Sequence, residues 1–235
     1  MKKRVDLVSG NIIGTLITLS LPILGTSFIQ MAYNLVDMIW IGKAGSAAVA
    51  AIGTAGFFSW FGNSLVLITK TGAEVGVSQS IGKNDECERN SYIYSSITLA
   101  LIMAIVYTVI LILFKKELIG FFNLGDVEII KMSLDYLIII ALGMICAFLN
   151  PQFTGIFTAS GNSKTPFIVN TIGLIVNIVL DPILIFGIGK VSPLGVKGAA
   201  LATVLSQLLH QRLKSTSIKR VWAPSQPSGT VLVSP

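Results

Sequence analysis

The sequence is short of charge. Only 12% of its 235 residues are Asp, Glu, Lys or Arg, whereas an ordinary soluble domain carries about 25%. So few charged side chains cannot cover a globular surface, and 53% of the residues are hydrophobic. The composition therefore argues against a soluble enzyme or binding domain and favours a protein embedded in lipid.

Histidine and cysteine are equally scarce. The one histidine is His210, and the two cysteines, Cys87 and Cys146, have no metal-ligand spacing. The sequence lacks a Walker loop and a dinucleotide fingerprint, and with His210 as its single histidine it offers no credible catalytic triad. We therefore expect no enzymatic activity and no cofactor. We also expect no nucleic-acid partner, because basic loops of a membrane protein account for the net charge of +6.

Long uncharged runs take the place of these motifs. A bilayer core of about 30 Å requires about 20 residues of helix, and runs of that length recur along the chain. We predict an all-α, polytopic membrane bundle of about six transmembrane helices. The predicted spans are 13–38, 46–69, 91–114, 133–157, 166–188 and 193–211.

The charged segments between the spans predict loops, an orientation and a tail. Residues 70–89 are expected to form a loop, and 115–131 to contain a short amphipathic helix in the interface. If the N-terminus is inside, most basic residues fall on the same side, which predicts cytoplasmic termini in the plasma membrane. Beyond residue 212 the sequence becomes polar and proline-rich, so we expect 213–235 to be a disordered or non-native tail.

Two carboxylates lie at membrane depth, Asp37 and Asp181. An aspartate in mid-helix costs about 2.5 to 3.5 kcal/mol on insertion scales, so such residues usually face a cavity or a partner. For Asp37 a helix end near the headgroups is an equal alternative, because Gly42 and Lys43 follow soon after. Asp181 has apolar sequence on both sides and is the stronger functional candidate.

Polar residues accompany both acids at helical spacing. They form three stripes, Thr26, Gln30, Tyr33 and Asp37 on the first helix, Asn170, Asn177 and Asp181 on the fifth, and Thr203, Ser206, Gln207 and His210 on the sixth. Such residues often only bond helices together, but three stripes with two acids favour a shared polar cavity. Pro182 bends the backbone beside Asp181. Oxygens of Asp181, Asn177 and Thr203 could then take up a proton or hold Na⁺.

Five short segments carry a family resemblance. They are residues 34–42 (NLVDMIWIG), 72–82 (GAEV through SQSIG), 155–166 (GIF through GNSKTP), 177–182 (NIVLDP) and 195–203 (G through GAALAT). In this order and spacing, the sequence from about 8 to 210 resembles the multidrug and toxic compound extrusion (MATE) family.

The resemblance implies a cation-coupled antiporter with twelve helices in two six-helix lobes. Such a protein would export cationic or aromatic small molecules in exchange for H⁺ or Na⁺. Residues 1–212 would form the N-terminal lobe. The residues similar to the family's cation site are Asp37, Asn177, Asp181 and Thr203, of which Asp181 and Asn177 would hold the metal ion in a Na⁺-coupled protein. Tyr33 and Gln30 would face the substrate pocket.

The second lobe is absent from the sequence, so the resemblance implies a missing C-terminal lobe or another second half as partner. We expect the chain expressed alone to be an inactive fragment. A lipid-linked oligosaccharide flippase of the same fold group is an alternative, and should have a more cationic cavity. An ion channel or a non-transporting membrane subunit is the alternative from a different class.

Overall fold

A computed structural model of the chain describes residues 12–187 and 192–221. These two ranges contain no strand, which confirms the all-α prediction. Their helices are α1 (Ile12–Lys43), α2 (Ser46–Gly82), α3 (Glu86–Leu113), α4 (Lys115–Gly120), α5 (Val127–Ala159), α6 (Lys164–Phe186) and α7 (Val196–Val221).

Five helices, α1, α2, α3, α5 and α6, are long and apolar enough to cross a membrane. The sixth predicted span, 193–211, coincides with most of α7. This helix has 26 residues but is much more polar than the others, because it carries Lys197, Arg212 and Lys214. It packs against α5 and α6, so protein contacts replace the lipid contacts of an apolar span.

The loop predicted at 70–89 is wrong for most of its length. Helix α2 continues to Gly82, and α3 begins at Glu86. Beyond the apolar part, α2 carries an ion pair between Lys70 and Glu74, whose Nζ and Oε1 lie 3.3 Å apart at the helical spacing of four residues. Asp85 caps α3 by accepting a hydrogen bond from the Glu88 amide at 2.8 Å.

The predicted tail also begins inside a helix. Helix α7 runs to Val221, so residues 213–221 are helical rather than disordered, and residues 222–235 lie outside the described ranges. Serine and threonine side chains hydrogen-bond to carbonyls one turn back, as Thr216 does to Arg212 at 2.9 Å and Ser217 to Leu213 at 2.8 Å. A polar sequence therefore did not mean the end of the helix. The predicted short helix within 115–131 corresponds to α4.

Helix α5 lies at the centre and packs against α2, α3 and α7, whereas α6 packs against α7 and α1. Fully buried side chains of α5, such as Phe148 and Phe157, form much of the core. Helix α1 is different, because its apolar side chains, for example Phe28 at 71% exposure, point away from the bundle. Since α1 contacts mainly α6, space remains between α1 and α2.

A hydrogen bond between Tyr107 and Phe58 joins α3 to α2. The Tyr107 hydroxyl donates to the Phe58 carbonyl at 2.6 Å, and Tyr107 is buried. We expect Tyr107→Phe to lower the free energy of unfolding by about 1 kcal/mol, because a buried hydrogen bond contributes roughly that much. Thermal unfolding in detergent measures the change. Tyr94→Phe is the control, since Tyr94 is 72% exposed; equal effects of the two substitutions would contradict the prediction.

Candidate functional site

The two membrane-depth acids meet between α1 and α6. The carboxyl groups of Asp37 and Asp181 lie within hydrogen-bonding reach of each other. Asp181 is fully buried, and α1 approaches α6 closely where the Phe167 ring packs against Gly25. Because α1 continues to Lys43, Asp37 lies more than one turn inside the helix. The alternative that Asp37 lies within reach of the lipid headgroups stays a prediction.

Asn177 lies beside the acid pair and hydrogen-bonds to Asp181. Its side-chain amide donates to Asp181 Oδ1 at 3.2 Å, and both residues are fully buried one turn apart on α6. Three buried oxygens here, Asp37 Oδ1, Asp181 Oδ2 and Asn177 Oδ1, have no hydrogen-bond partner among the described residues. An unsatisfied buried polar atom costs roughly 1 to 3 kcal/mol. A proton between the carboxylates, or a Na⁺ among the oxygens, would relieve that cost.

Thr203 lies near the acid pair without bonding to it. The Tyr33 hydroxyl is 3.5 Å from Ser206 Oγ and within reach of the Thr203 side chain. Thr203 Oγ1 itself donates to the Ala199 carbonyl at 3.0 Å. In the described ranges no hydrogen bond joins Thr203 to Asp181, so its place among the cation ligands stays a prediction.

A tyrosine of α5 belongs to this region and was missed from the sequence. Tyr136 is 6% exposed and lies within electrostatic range of Asp37 and Asp181. A single tyrosine at the start of an apolar run is typical of an aromatic residue at the membrane interface. Its spacing alone therefore gave no sign that it packs beside the acids.

A cavity of about 1320 Å³ lies beside the acid pair, between α1, α2, α5, α6 and α7. Gln30 and Tyr33 line it, and their predicted role in a substrate pocket stays a prediction. Other polar lining residues include Thr26, Asn63, Asn150, Thr154, Asn170, Ser206, Gln207 and His210. None of the four predicted cation-site residues is among the described lining residues. The single shared pocket expected from the stripes is thus two neighbouring sites, with Tyr33 and Ser206 between them.

His210, from the predicted stripe on the sixth span, lies between α6 and α7. Its Nε2 is 3.4 Å from the Asn170 carbonyl oxygen, and its ring packs against Gly173. The described residues contain no cluster of three His, Cys, Asp or Glu side chains that could hold a metal ion. Because its ring packs against Gly173 and faces the Asn170 carbonyl, His210 forms part of the cavity wall.

Basic residues lie at one end of the cavity. Lys214 of α7 is 2% exposed, and its ammonium donates to the Asn150 carbonyl at 3.2 Å and to Thr154 Oγ1 at 2.9 Å. The Lys70–Glu74 pair lies at the same end, against Gly155. Lys214 was missed as a site residue because the composition had placed it in the tail.

Comparison with known proteins gives one family. The MatE family model matches residues 22–183. A probable multidrug resistance protein NorM of Thermotoga maritima is 28% identical over 194 residues, which cover 83% of this chain and 42% of that protein. An FAD transporter of Shewanella oneidensis is 25% identical over 209 residues, 89% of this chain and 46% of that protein.

Solved structures of the same group share the fold. An outward-facing multidrug resistance MATE family transporter superposes with a TM-score of 0.81 at 26% identity, over 94% of this chain and 48% of that one. A MOP superfamily transporter from Pyrococcus furiosus gives a TM-score of 0.82 at 26% identity, over 100% of this chain and 51% of that one. The chain thus spans about half the length of the relatives it matches.

Proposed function

Because the chain belongs to the MatE family, we propose that it forms the ion-binding lobe of a secondary active antiporter, which exports small organic compounds in exchange for H⁺ or Na⁺. Members of this family are membrane transporters rather than enzymes. The chain has the corresponding helical membrane fold.

The observation that carries the proposal is the buried acid pair. Asp37 and Asp181 face each other from different helices, and three oxygens there have no hydrogen-bond partner among the described residues. A cation that moves down a potential of 100 mV releases about 2.3 kcal/mol per charge. An ion bound at this pair would therefore supply a usable driving force for the export of another solute.

Helix α1 connects the ion to the cavity. It contributes Asp37 to the acid pair, and Gln30 and Tyr33 to the cavity wall, while its main packing partner is α6. Charge neutralisation at the pair changes how closely α1 and α6 approach, and hence the shape of that wall. Differential binding of this kind is what couples two ligands to one conformational equilibrium.

The remaining parts of the transporter are inferred from the relatives. Relatives are named as a multidrug resistance protein and an FAD transporter, so the proposed substrate class is small organic compounds with aromatic rings, with organic cations or drugs as the class implied by the family. The partner would be a C-terminal lobe or another second half. We place the protein in the plasma membrane with both termini in the cytoplasm, following the positive-inside bias.

Ion-linked substrate binding tests the proposal on the chain itself. The 235-residue chain in nanodiscs is titrated with a panel of cationic, neutral and anionic aromatic compounds, with and without Na⁺ at pH 8 and at acidic pH. Antiport requires that one ion weakens substrate binding, and we expect at least a fivefold change in Kd, which is the usual lower bound for coupled sites. Binding without ion linkage, as for a channel or a structural subunit, contradicts the proposal, and so does the absence of any binding.

A further inference from the structure

A buried lysine lies outside the acid pair and takes no part in the proposed ion site. Lys214 Nζ donates to the Asn150 carbonyl at 3.2 Å and to Thr154 Oγ1 at 2.9 Å, and the residue lines the cavity at 2% exposure. Burial of an ammonium group is expensive unless a counter-charge or a full set of acceptors compensates it.

Lys214 has no such counter-charge in the described part of the chain. The ion pairs found there involve other bases, namely Lys70, Lys83, Arg89 and Lys197. Among the described residues that line the cavity, Glu74 is the one carboxylate, and its Oε1 lies 3.3 Å from Lys70 Nζ. The charge of Lys214 is therefore met only by a carbonyl and a hydroxyl group.

The ammonium group also keeps one hydrogen to donate. It has three N–H donors, and the two hydrogen bonds with Asn150 and Thr154 use two of them. Asn150 is itself fixed, since its side-chain amide donates to the Gln207 carbonyl at 3.0 Å. The third N–H of the Lys214 ammonium is therefore left for another acceptor, and the two existing hydrogen bonds hold the ammonium in place at the cavity wall.

The rest of the cavity suits an aromatic body. Tyr33, Trp60, Ile23 and Leu67 contribute rings and aliphatic side chains to its lining. The acids that would attract a cation lie behind Tyr33 and do not line the cavity. Burial lowers the pKa of Lys214 to about 7, so below that pH the lining within the described residues carries one surplus positive charge, at Lys214.

We propose that Lys214 is a subsite for one anionic group, a carboxylate or a phosphate, of an aromatic compound held in the cavity. The inference rests on the proposed function only in that it takes the cavity as the substrate's place. It narrows the substrate class that the family resemblance implies, from cationic or aromatic small molecules to aromatic compounds that carry an anionic group.

The test uses three probes with the same ring system. Equilibrium dialysis of the 235-residue chain in phosphatidylcholine nanodiscs, at pH 6 where Lys214 is protonated, gives the Kd of 1-naphthyl phosphate, neutral 1-naphthol and cationic 1-naphthylmethylammonium. We expect the phosphate to bind on the order of tenfold more tightly than the naphthol, as a charge-assisted hydrogen bond in a desolvated site provides. If the cation binds best, or the phosphate binds no better than the naphthol, the proposal is overturned.

Substitutions assign the preference to Lys214. We expect Lys214→Met to remove the preference for the phosphate and leave the Kd of 1-naphthol unchanged, and Lys214→Arg to keep it. Thr154→Val should also keep it, because this change removes an acceptor of Lys214 and not its charge. Lys164→Gln is the matched control, since Lys164 is an exposed lysine on α6 that does not line the cavity. A Lys214→Met chain that folds and retains the preference would overturn the proposal.

The experiment also covers misfolding of the Lys214→Met variant and binding of a lipid headgroup in place of a soluble ligand. Should Lys214→Met fail to fold, the three-probe comparison on the unchanged chain still decides. Nanodiscs with added phosphatidylglycerol separate a soluble ligand from a lipid headgroup. If that lipid displaces the naphthyl phosphate, the anionic group belongs to lipid and the soluble-substrate assignment is overturned. Loss of ion linkage without loss of the phosphate preference would instead contradict the antiporter proposal alone.

Discussion

Replacement of Asp181 by asparagine is expected to abolish the stabilisation of the folded chain by ions. In the unchanged chain two carboxyl groups face each other across α1 and α6, and a cation that binds only the folded state stabilises it by about 2.7 kcal/mol at one hundred times its Kd. For a protein of this size that corresponds to a rise in Tm of roughly 5 to 10 °C. Asp181→Asn removes one of the two charges, so the rise should fall to about 1 °C or less.

The Tm of the Asp181→Asn variant in the absence of ions provides a second readout. At pH 8 without Na⁺ the two carboxylates repel each other, because like charges at close range disfavour the shared ionised state. The asparagine variant has only one charge there, and its amide can donate to Asp37. We therefore expect Asp181→Asn to melt at a higher temperature than the unchanged chain in the absence of ions, and at a similar or lower temperature in their presence.

Matched variants separate the acid pair from acids elsewhere. Asp37→Asn should abolish the ion effect as Asp181→Asn does, since either change leaves one carboxylate. Asp135→Asn should preserve it, because the Asp135 carboxylate already pairs with Lys197 at 3.2 Å. If Asp181→Asn keeps the full rise in Tm, these carboxylates do not bind the coupling ion. A rise on addition of Na⁺ at pH 8 identifies sodium, and a rise only on acidification identifies the proton.

Apolar runs located the helices but not their ends. The span predicted at 46–69 is the uncharged part of α2, yet the helix continues to Gly82. An uncharged run measures the part of a helix that lipid tolerates. The length of an uncharged run does not predict where the helix ends outside the membrane. That end depends on ion pairs such as Lys70–Glu74 and on caps such as Asp85.

Helical spacing predicted which residues share a face, but not which neighbour that face meets. Within the stripe on α1, Gln30 and Asp37 are seven residues apart, which is about 10 Å along the helix axis. The two residues therefore lie at different depths: Gln30 lines the cavity and Asp37 meets Asp181 on α6. Since the packing of α1 on α6 depends on distant residues such as Gly25 and Phe167, the division into two sites could not be derived from spacing.

Composition misplaced Lys214 for a similar reason. The polar, proline-rich stretch after residue 212 is typical of a solvated tail, because a segment with few apolar residues buries too little surface to join a core. Here the preceding part of α7 is held against α5 and α6, so the helix simply continues and carries Lys214 under Asn150 and Thr154 of α5. The packing of the preceding turns of α7 thus buries Lys214, although the sequence on either side of Lys214 does not predict a buried position.

A single methyl group at Gly198 is expected to have the largest effect on stability. Gly198 is buried in the first turn of α7, and a Cβ there would overlap the carbonyl oxygen of Leu184 and approach the Ile185 nitrogen to 2.9 Å. Both are backbone atoms near the end of α6, so no side chain can turn aside to make room. We expect Gly198→Ala to lower the free energy of unfolding by about 3 kcal/mol, at the upper end of overpacking effects.

The backbone opposite Gly198 cannot retreat, because it is fixed by the chain that enters α7. The Leu194 amide donates to the Leu184 carbonyl and the Gly195 amide to the Ile185 carbonyl, each at 3.0 Å. Gly72→Ala is the matched control, since nothing lies within 4 Å of its added Cβ, and alanine in that helix should be neutral or stabilising by up to about 1 kcal/mol. Thermal melts of the two variants give the comparison, and equal Tm values would contradict the argument.

The same contact ties stability to the ion site. Leu184 and Ile185 lie one turn beyond Asp181 on α6, and α7 carries Ser206, which faces Tyr33 on α1. If α6 and α7 separate to admit the methyl group, Asp181 moves relative to Asp37. We therefore expect Gly198→Ala to weaken the ion-induced rise in Tm as well, although the substitution touches neither acid, because the two carboxylates can share one ion only while α6 holds its position between α1 and α7.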